Sequence, residues 1–242
     1  MKRIITTIIL MLSFSYASYS QVCIADKFLD RQKSKDPKLE KRIQSVIDNF
    51  QNSQNRGIQN NNYQTVTIPV VFNIVHAGES VGEGRNIPDY RVHEQIELLN
   101  AAYSGQFGGV DTQIQFCLAS KNIAGIDVSG IYRFNGELDY DLGEIIEIYG
   151  EDPECNLDYS KDSQLKSHRA NFPSSLFLNI WVADLLYCEE ENIQGYSSFP
   201  FTFSEDIDDL YDGVVLDYQW VGSNTSNFPV YVNSLGFTAV HE

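Results

Sequence analysis

The chain has 242 residues, of which 43% are hydrophobic and 12% aromatic, with only 7 Pro and 16 Gly. This composition supports a folded core and excludes a disordered or collagen-like chain. The net charge of −16 repels phosphate backbones and anionic membrane surfaces, so the composition disfavours nucleic-acid binding and peripheral membrane binding. We therefore expect one globular domain with short appendages.

The N-terminal 20 residues have the pattern of a secretory signal peptide. Lys2 and Arg3 precede an apolar run from Ile4 to Phe14, and small and polar residues follow up to Ser20. The run covers roughly half of the ~20 residues that a membrane-spanning helix needs. The pattern predicts cleavage near Ser20, secretion without membrane insertion, and an oxidising destination in which cysteines can pair.

Residues 21–56 differ from the rest of the chain in charge. They contain eight basic and five acidic side chains, a net charge of +3, whereas residues 57–242 contain seven basic and 28 acidic side chains, a net charge of −21. A basic leader on an acidic domain indicates a prosegment that docks on that domain. Apolar residues at helical spacing predict an amphipathic helix of about three turns in the leader: Leu39, Ile43, Val46, Ile47 and Phe50.

A polar stretch separates this leader from the folded part. Residues 51–62 are almost all Asn, Gln, Ser and Gly, a composition that cannot build a core. It predicts an exposed linker that a protease can cut, with Arg56 the obvious point. The sequence thus divides into a signal peptide (1–20), a basic prosegment (21–56), a linker (57–64) and a folded domain (65–242).

The folded domain begins with a strand, a helix and a second strand. The β-branched run Thr65–Val75 is typical of a strand buried on both faces, and Pro69 indicates a bend or an edge. A helix is predicted from Pro88 to Ala102, followed by a strand over Gln113–Ala119. This order implies a right-handed crossover within one sheet.

The remaining elements are shorter. Strands are predicted at Ile131–Phe134, Ser175–Ala183, Gly195–Pro200 and Gly213–Tyr218, with Gly195–Pro200 typical of an edge strand. A polar helix is predicted over 161–170, and the segment 142–149 fits a strand or a helix. Together the pattern predicts an α/β fold.

The last residues carry the only recognisable chemistry. Residues 235–242 are typical of a helix that enters from a Gly turn and ends on His241 and Glu242. A zincin helix needs two His at i and i+4 on one face, with Glu at i+1 as general base. A helix-surface His beside a Glu is the ordinary alternative for such a pair. His76, His93 and His168 lack metal-ligand spacing to one another, and we interpret them as structural or solvated.

The context of this pair is a resemblance to a known family. Seven segments carry it: 68–71, 95–100, 114–119, 178–184, 195–200, 212–217 and 236–242. In this order they resemble the pappalysin family of metzincin zinc peptidases, in particular its secreted bacterial members of the cytophagalysin and ulilysin kind. The resemblance implies a metzincin-like catalytic domain whose N-terminal subdomain has a twisted mixed sheet of five strands, two packing helices and the start of the active-site helix.

The resemblance also implies roles for individual residues. In that family the active-site helix runs His-Glu-x-x-His-x-x-Gly-x-x-His, so His241 matches the first zinc ligand and Glu242 the general base. The other two ligands, the helix Gly and the Met-turn of the C-terminal subdomain have no positions here, and the chain is truncated within the motif. The segment Gly195, Tyr196, Ser197, Ser198 and Phe199 matches the edge strand that binds an extended peptide substrate.

The cysteines complete these expectations. Cys23 resembles the prosegment cysteine whose thiolate occupies the zinc and keeps the zymogen latent. Cys155 and Cys188 lie in acidic, loop-like stretches and are candidates for a disulfide, and Cys117 is most simply a buried thiol. Zinc is the implied cofactor and calcium a candidate second ion, although the acidic residues 205–212 lack the spacing of a known calcium loop.

The expected function is that of a secreted zinc metalloendopeptidase, a monomer made as a zymogen and acting on proteins or peptides. Two alternatives stay open. One is a catalytically inactive, truncated fragment of such a peptidase, because one protein ligand does not hold zinc. The other is a secreted binding or adhesion module that uses the same sheet and its edge strand.

Overall fold

The computed structural model describes residues 33–34, 36–55, 64–136, 162, 165–166, 172–185, 193–197, 212–222 and 236–241. Several sequence predictions fall on residues outside these ranges: the signal peptide 1–20, Cys23, Arg56, the segment 142–149, Cys155, Cys188, Ser198, Phe199 and Glu242. The structure says nothing of them. No helix among the described residues is long and apolar enough to cross a membrane.

The described chain forms three α-helices, six strands and one 3-10 helix. In chain order these are α1 (Leu39–Asn55), β1 (Val66–His76), α2 (Asp89–Tyr103), β2 (Ile114–Leu118), β3 (Ile131–Asn135), β4 (Leu178–Ala183), β5 (Gly195–Ser197), β6 (Val214–Asp217), the 3-10 helix (Tyr218–Trp220) and α3 (Thr238–His241). Every strand predicted from the sequence is present, with bounds that differ by up to three residues. The predicted crossover helix is α2.

The six strands form one mixed sheet in the order β2-β1-β4-β6-β5, and β3 also pairs with β1. All pairings are parallel except that of β5, which runs antiparallel to β6 at one end of this order. The expectation of five strands is therefore corrected to six. The reason is the length of β1, which has 11 residues: its first part pairs with β2 and its last part with β3, both on the same side.

Strand β1 is the central strand, and its apolar run is buried on both faces from Val70 to Val75. Pro69 does not end it. The N–H groups of Val66 and Phe72 donate toward β2 and β3, so by alternation Pro69 faces the side of β4. Pairing with β4 begins only opposite Val70, so the missing N–H of Pro69 leaves no gap in the ladder.

One face of the sheet, which we call the helix face, is covered by α2 and α3. It carries the main apolar core: Val70, Phe72, Ile74, Ile87, Val92, Leu99, Phe116, Ile180, Val182, Val214, Leu216, Val221 and Ala239. Helix α2 is also bound to β2 by the amide of Asn100, which donates to the Phe116 carbonyl (2.9 Å) and accepts the Phe116 N–H (2.7 Å). Both apolar burial and a paired polar group therefore fix α2 on the sheet.

The other face of the sheet, which we call the opposite face, buries polar side chains. A small apolar cluster of Val71, Ala119 and Phe172 lies there, and Asn73, Asn179 and Trp181 alternate onto the same face. Asp162 and Lys166, in the segment predicted as a polar helix, are helical and fully buried. The sequence pattern gave no sign of that burial, because charged residues are rarely buried unless they are paired.

Cys117 is exposed, so the prediction of a buried thiol is wrong. The cause is its place in β2, which lies at the end of the sheet order. Only the side of β2 that faces α2 is covered, and this side carries Phe116; its neighbour Cys117 alternates to the uncovered side.

Helix α1 is longer than the sequence predicted. It has 17 residues and ends at Asn55, so it includes the first part of the stretch predicted as linker. The helix continues this far because neither Gly nor Pro occurs between Leu39 and Gly57. Asp36 caps its start. The Asp36 backbone carbonyl accepts the Leu39 N–H, and its carboxylate accepts a hydrogen bond from Nη2 of Arg42 (2.7 Å). This hydrogen bond to Arg42 lowers the pKa of Asp36. Leu39, at the start of this helix, is 0% exposed.

Candidate functional site

The helix that carries His241 enters from a glycine turn, as the sequence predicted. Gly236 has a φ of +70°, a backbone conformation that favours glycine. A Cβ at this position would lie 2.7 Å from Oε1 of Gln95 and 3.0 Å from Cδ2 of Leu98. Helix α3 therefore starts at a point where only glycine fits against α2.

Gln95 on α2 holds this turn in place. Its Nε2 donates to the Gly236 carbonyl (2.9 Å), and its Oε1 accepts the Gly222 N–H (2.9 Å). The side chain is fully buried, so both hydrogen bonds are made away from water, where an unpaired backbone group is costly. One amide therefore fixes the start of α3 and the loop after β6 together.

Helix α3 also lies directly against β5. Thr238 donates its hydroxyl to Oε1 of Gln194, the residue before the strand, over 2.9 Å, and both side chains are buried. A Cβ on Gly195 would lie 3.1 Å from Cγ2 of Thr238 and 2.8 Å from the Val215 carbonyl. Glycine at this position lets the strand and the helix approach each other.

Strand β5 is the outermost described strand beyond β6. The Gln194 carbonyl accepts the Asp217 N–H (2.8 Å), and Tyr196 lies opposite Val215 in the antiparallel register. Backbone groups alternate in direction along a strand, so those of Gly195 and Ser197 are directed away from β6. The outer side of β5 therefore has the geometry of a sheet edge beside the helix that carries His241.

His241 is exposed on the last turn of α3, and its N–H donates to the Phe237 carbonyl (3.0 Å). Of the predicted site residues, His241, Gly195, Tyr196 and Ser197 lie within the described residues, and Thr238, one turn before His241 on α3, contacts Gly195. Glu242, Cys23, Ser198 and Phe199 lie outside the described residues, as do Cys155 and Cys188. Nδ1 of His76 accepts the Gly78 N–H (3.0 Å) and so stabilises the turn after β1. This contact agrees with a structural role for His76.

His241 is the candidate metal donor among the described residues that the sequence singled out. An exposed imidazole suits zinc, but a stable zinc site takes at least three protein ligands. No group of three or more His, Cys, Asp or Glu side chains suited to a metal occurs within the described ranges. A complete zinc site that includes His241 would therefore need donors in addition to the described residues.

A second polar cluster, which sequence reasoning missed, lies at the carboxyl end of β6. The buried carboxylate of Asp217 accepts the N–H groups of Leu185 and Gln219, each at 2.9 Å. Burial raises the pKa of Asp217 to about 7, against the opposite effect of these two hydrogen bonds. Arg91 of α2 donates to the carbonyls of Val221 (2.9 Å) and Gln219 (3.1 Å), so it holds the same loop.

These positioning residues carry weak sequence signals. Gln95, Gln194 and Thr238 are polar residues of common types at scattered positions, and nothing in their spacing indicates that they meet. Asp217 has a slightly better signal, because it directly follows the apolar run of β6 and the carboxyl ends of parallel strands often carry functional groups.

The architecture defines a class of fold. A mostly parallel sheet with an antiparallel end strand, a packing helix on one face, and a final helix placed under the end strand form a metzincin-like α/β domain. No family model matches the sequence, and no curated protein sequence matches it significantly. The comparison that does find relatives is the one with solved structures.

Mirolysins of Tannerella forsythia are among the solved structures that match this chain. A promirolysin mutant matches with a TM-score of 0.60 at 22% identity, covering 91% of this chain and 65% of that chain. Mature mirolysin in complex with a cleaved peptide matches with a TM-score of 0.52 at 25% identity, covering 74% of this chain and 62% of that chain. Mirolysin bound to a compound gives the same values. The present chain thus spans less than two thirds of these structures.

Proposed function

We propose that this protein is a secreted zinc-dependent metalloendopeptidase of the pappalysin kind, made as a zymogen. The observation that supports the proposal is the contact of β5 with Thr238 of α3, the helix that carries the exposed His241. The same fold occurs in a mirolysin structure that contains a cleaved peptide. The substrate class is an extended segment of a protein or peptide.

Substrate binding follows from the geometry of β5. An extended peptide adds to the outer side of the strand through main-chain hydrogen bonds with Gly195, whose backbone groups are directed away from β6. We propose that Ser198 and Phe199, which follow Ser197 in the sequence, belong to the same substrate-binding segment. Because main-chain bonds are common to all peptides, this edge holds the substrate backbone and leaves the choice of side chain to other parts of the cleft.

The chemistry rests on two neighbouring residues. His241 is the proposed first zinc ligand, and Glu242, next in the chain, is the proposed general base, which takes a proton from the attacking water and passes it to the leaving amine. Zinc would supply a Lewis acid that polarises the scissile carbonyl. The helix start fixed by Gln95 and Gln194 holds the His241 backbone in place for this role.

Latency is the role we propose for the leader. The match to promirolysin covers 91% of this chain, whereas the match to mature mirolysin covers 74%. The burial of Leu39 supports docking of the leader. We propose that the Cys23 thiolate binds the zinc in the zymogen and that cleavage near Arg56 releases the leader.

Zinc content tests the metal site. The 242-residue chain, dialysed against trace zinc, is expected to retain far less than one zinc per molecule, as measured by elemental analysis. A form in which the helix continues through the complete His-Glu-x-x-His-x-x-Gly-x-x-His motif is expected to retain one. In that form Glu242→Gln should keep the metal and abolish peptide hydrolysis. Hydrolysis at the parent rate by this variant would contradict the role of Glu242.

The cysteine substitution tests latency. An uncleaved Cys23→Ala variant of the form with the complete motif should hydrolyse peptides, whereas its uncleaved parent should not. Raising the salt concentration should leave the parent latent, because at ~0.15 M salt charges interact over only about 8 Å and the thiolate with local packing holds the leader. Cys117→Ala is the matched control, since this exposed cysteine lies on β2. If Cys23→Ala and Cys117→Ala were equally latent, the Cys23 thiolate would have no role in latency and the leader would inhibit by steric blocking alone.

A further inference from the structure

Strand β5, the proposed edge of the substrate cleft, is attached to a buried ion pair on the opposite face of the sheet. We call β5 the rim strand. Tyr196 of β5 donates its hydroxyl to Oδ1 of Asp162 over 2.6 Å. The Lys166 ammonium lies 3.2 Å from the same oxygen and 5.2 Å from the centre of the Tyr196 ring. All three side chains are fully buried. We call this group the rim anchor.

A buried ion pair is a costly way to stabilise a fold. Apolar residues of similar volume often stabilise a core as well or better, and the best-attested advantage of buried charged groups is that they specify one geometry. In the rim anchor a single carboxylate oxygen receives both the tyrosine hydroxyl and the ammonium. This arrangement places the Tyr196 ring, and with it the strand, at one defined position.

The register of β5 on β6 is set over a short segment in the described part of the chain. Its three described residues each pair with one residue of β6. A slip of one residue would put Tyr196 at the place of Gly195, where even a Cβ lies 2.8 Å from the Val215 carbonyl. The anchor on one face and Gly195 on the other therefore select the same register.

Gly195 and Tyr196 connect the anchor to the proposed site. Consecutive residues of a strand face opposite sides of the sheet, so Tyr196 reaches the rim anchor while Gly195 contacts Thr238 of α3. We propose that Asp162 and Lys166, acting through Tyr196, are positioning residues that set the place of β5 beside His241 and thereby the affinity for an extended peptide. This inference rests on the proposed peptidase function.

Hydrogen exchange of the 242-residue chain tests the anchor without reference to activity. Tyr196→Phe keeps the ring and removes the hydroxyl, so amides of the segment 193–197 should exchange about tenfold faster, the change expected for one lost buried hydrogen bond. Lys166→Met should have a similar effect, and Lys166→Arg a smaller one because it keeps the charge. Unchanged exchange in Tyr196→Phe and Lys166→Met would overturn the anchor.

The matched control is Phe172→Leu, a substitution on the same face of the sheet. Phe172 is buried against Val71 of β1 and Tyr132 of β3. The substitution should lower the overall stability of the protein and leave exchange of 193–197 at the parent rate relative to the rest of the sheet. Equal acceleration of this segment in Phe172→Leu and Tyr196→Phe would show general loosening and would overturn the anchor.

Peptide kinetics test the positioning role in the mature form with the complete motif. Tyr196→Phe should raise KM about three- to tenfold and leave kcat close to the parent value, because the strand binds the substrate backbone and does not take part in bond cleavage. Phe172→Leu should change neither constant. An unchanged KM in Tyr196→Phe overturns the positioning role. If the parent itself hydrolyses no peptide, the proposed peptidase function fails, and the exchange experiment alone decides the anchor.

Discussion

The two faces of the sheet are built from alternate residues of the same strands, yet they use different interactions. The helix face buries an almost wholly apolar set, with Phe72 and Ile180 at its centre. The opposite face buries Asn73 and Trp181 from the same strands, next to the ion pair of the rim anchor. Successive positions in β1 and β4 thus alternate between an apolar core and a face that buries both apolar and polar side chains.

This difference separates stability from geometry. Burial of apolar surface is favourable but has no direction, so it holds α2 and α3 on the sheet without fixing their exact orientation. Hydrogen bonds are directional. On the helix face they occur where orientation matters for the proposed site, at Gln95, Gln194 and Thr238. On the opposite face they attach the rim strand through Tyr196.

The largest effect is expected from Phe72→Ala, which removes a fully buried ring from the helix face. A phenylalanine truncated in a core costs about 3–5 kcal/mol of unfolding free energy, from lost burial and from the cavity left behind. Urea unfolding followed by circular dichroism measures it. The exposed Tyr90 on α2 gives the control, since Tyr90→Ala should change stability by less than about 0.5 kcal/mol. A loss below ~1 kcal/mol for Phe72→Ala would contradict the assignment of the main core.

The next effect concerns orientation on the same face. Gln95→Ala leaves the Gly236 carbonyl and the Gly222 N–H buried without their partner, which we expect to cost about 2–4 kcal/mol. In the form with the complete motif it should also lower zinc affinity, because the start of the helix that carries His241 is no longer fixed. Isothermal titration with zinc and urea unfolding are the measurements. Gln115→Ala, at an exposed position of β2, should change neither value.

The fold was largely predictable from the sequence because its strands are apolar runs bounded by Gly and Pro. The run in β1 and the final glycine turn at Gly236 were both predicted where they occur. The length of α1 and the exposure of Cys117 were not predicted. Helix α1 extends further because no residue stops it, and Cys117 is exposed because β2 lies at the end of the sheet order. Apolar periodicity identifies an element but not its neighbours.

The candidate site was predictable only where a motif carries it. The resemblance pointed to His241 and to the strand that begins at Gly195 because these residues lie in recognisable segments. The groups that position them are Gln95, Gln194, Asp162 and Lys166, which are far apart in sequence and meet only in the folded sheet. Contacts of this kind need the register of the strands, and one sequence does not supply that register.

A pH effect is expected at the end of β6. The pKa of Asp217 is raised by burial to about 7 from its usual value of 3.8, so between about pH 4 and 7 the folded state holds a proton that the unfolded state has lost. Stability from this group is therefore present at low pH and falls as the pH rises through that window, by up to about 1.4 kcal/mol per pH unit. Urea unfolding from pH 4 to 8 measures the slope.

The control for this slope is Asp217→Asn, which has no proton to lose. It should remove the fall in stability between pH 4 and 7, whatever its effect on absolute stability. Asp127→Asn, at the exposed Lys121–Asp127 pair, should leave the slope as in the parent. A slope that persists in Asp217→Asn would assign the pH dependence to another group.

The smallest effect, and the sharpest test of the polar face, is expected from Asn73→Leu. Asn73 is buried on the opposite face, and neither atom of its side-chain amide has a hydrogen-bond partner in the described part of the chain. An unpaired buried amide costs free energy, and leucine has the same number of side-chain heavy atoms without polar groups. We therefore expect the unfolding free energy to stay constant or to rise by about 1 kcal/mol.

Asn179→Leu is the matched comparison, because Asn179 lies on the same face but donates to the Phe172 carbonyl over 2.9 Å. Its substitution leaves that carbonyl without the amide and should cost about 1–2 kcal/mol. If urea unfolding gives changes in unfolding free energy of opposite sign for Asn73→Leu and Asn179→Leu, this face of the sheet is stabilised by its hydrogen-bonded polar groups and not by polarity as such. A loss above ~1 kcal/mol for Asn73→Leu would instead mean that ordered water bonds Asn73 and that the whole polar layer acts as one network.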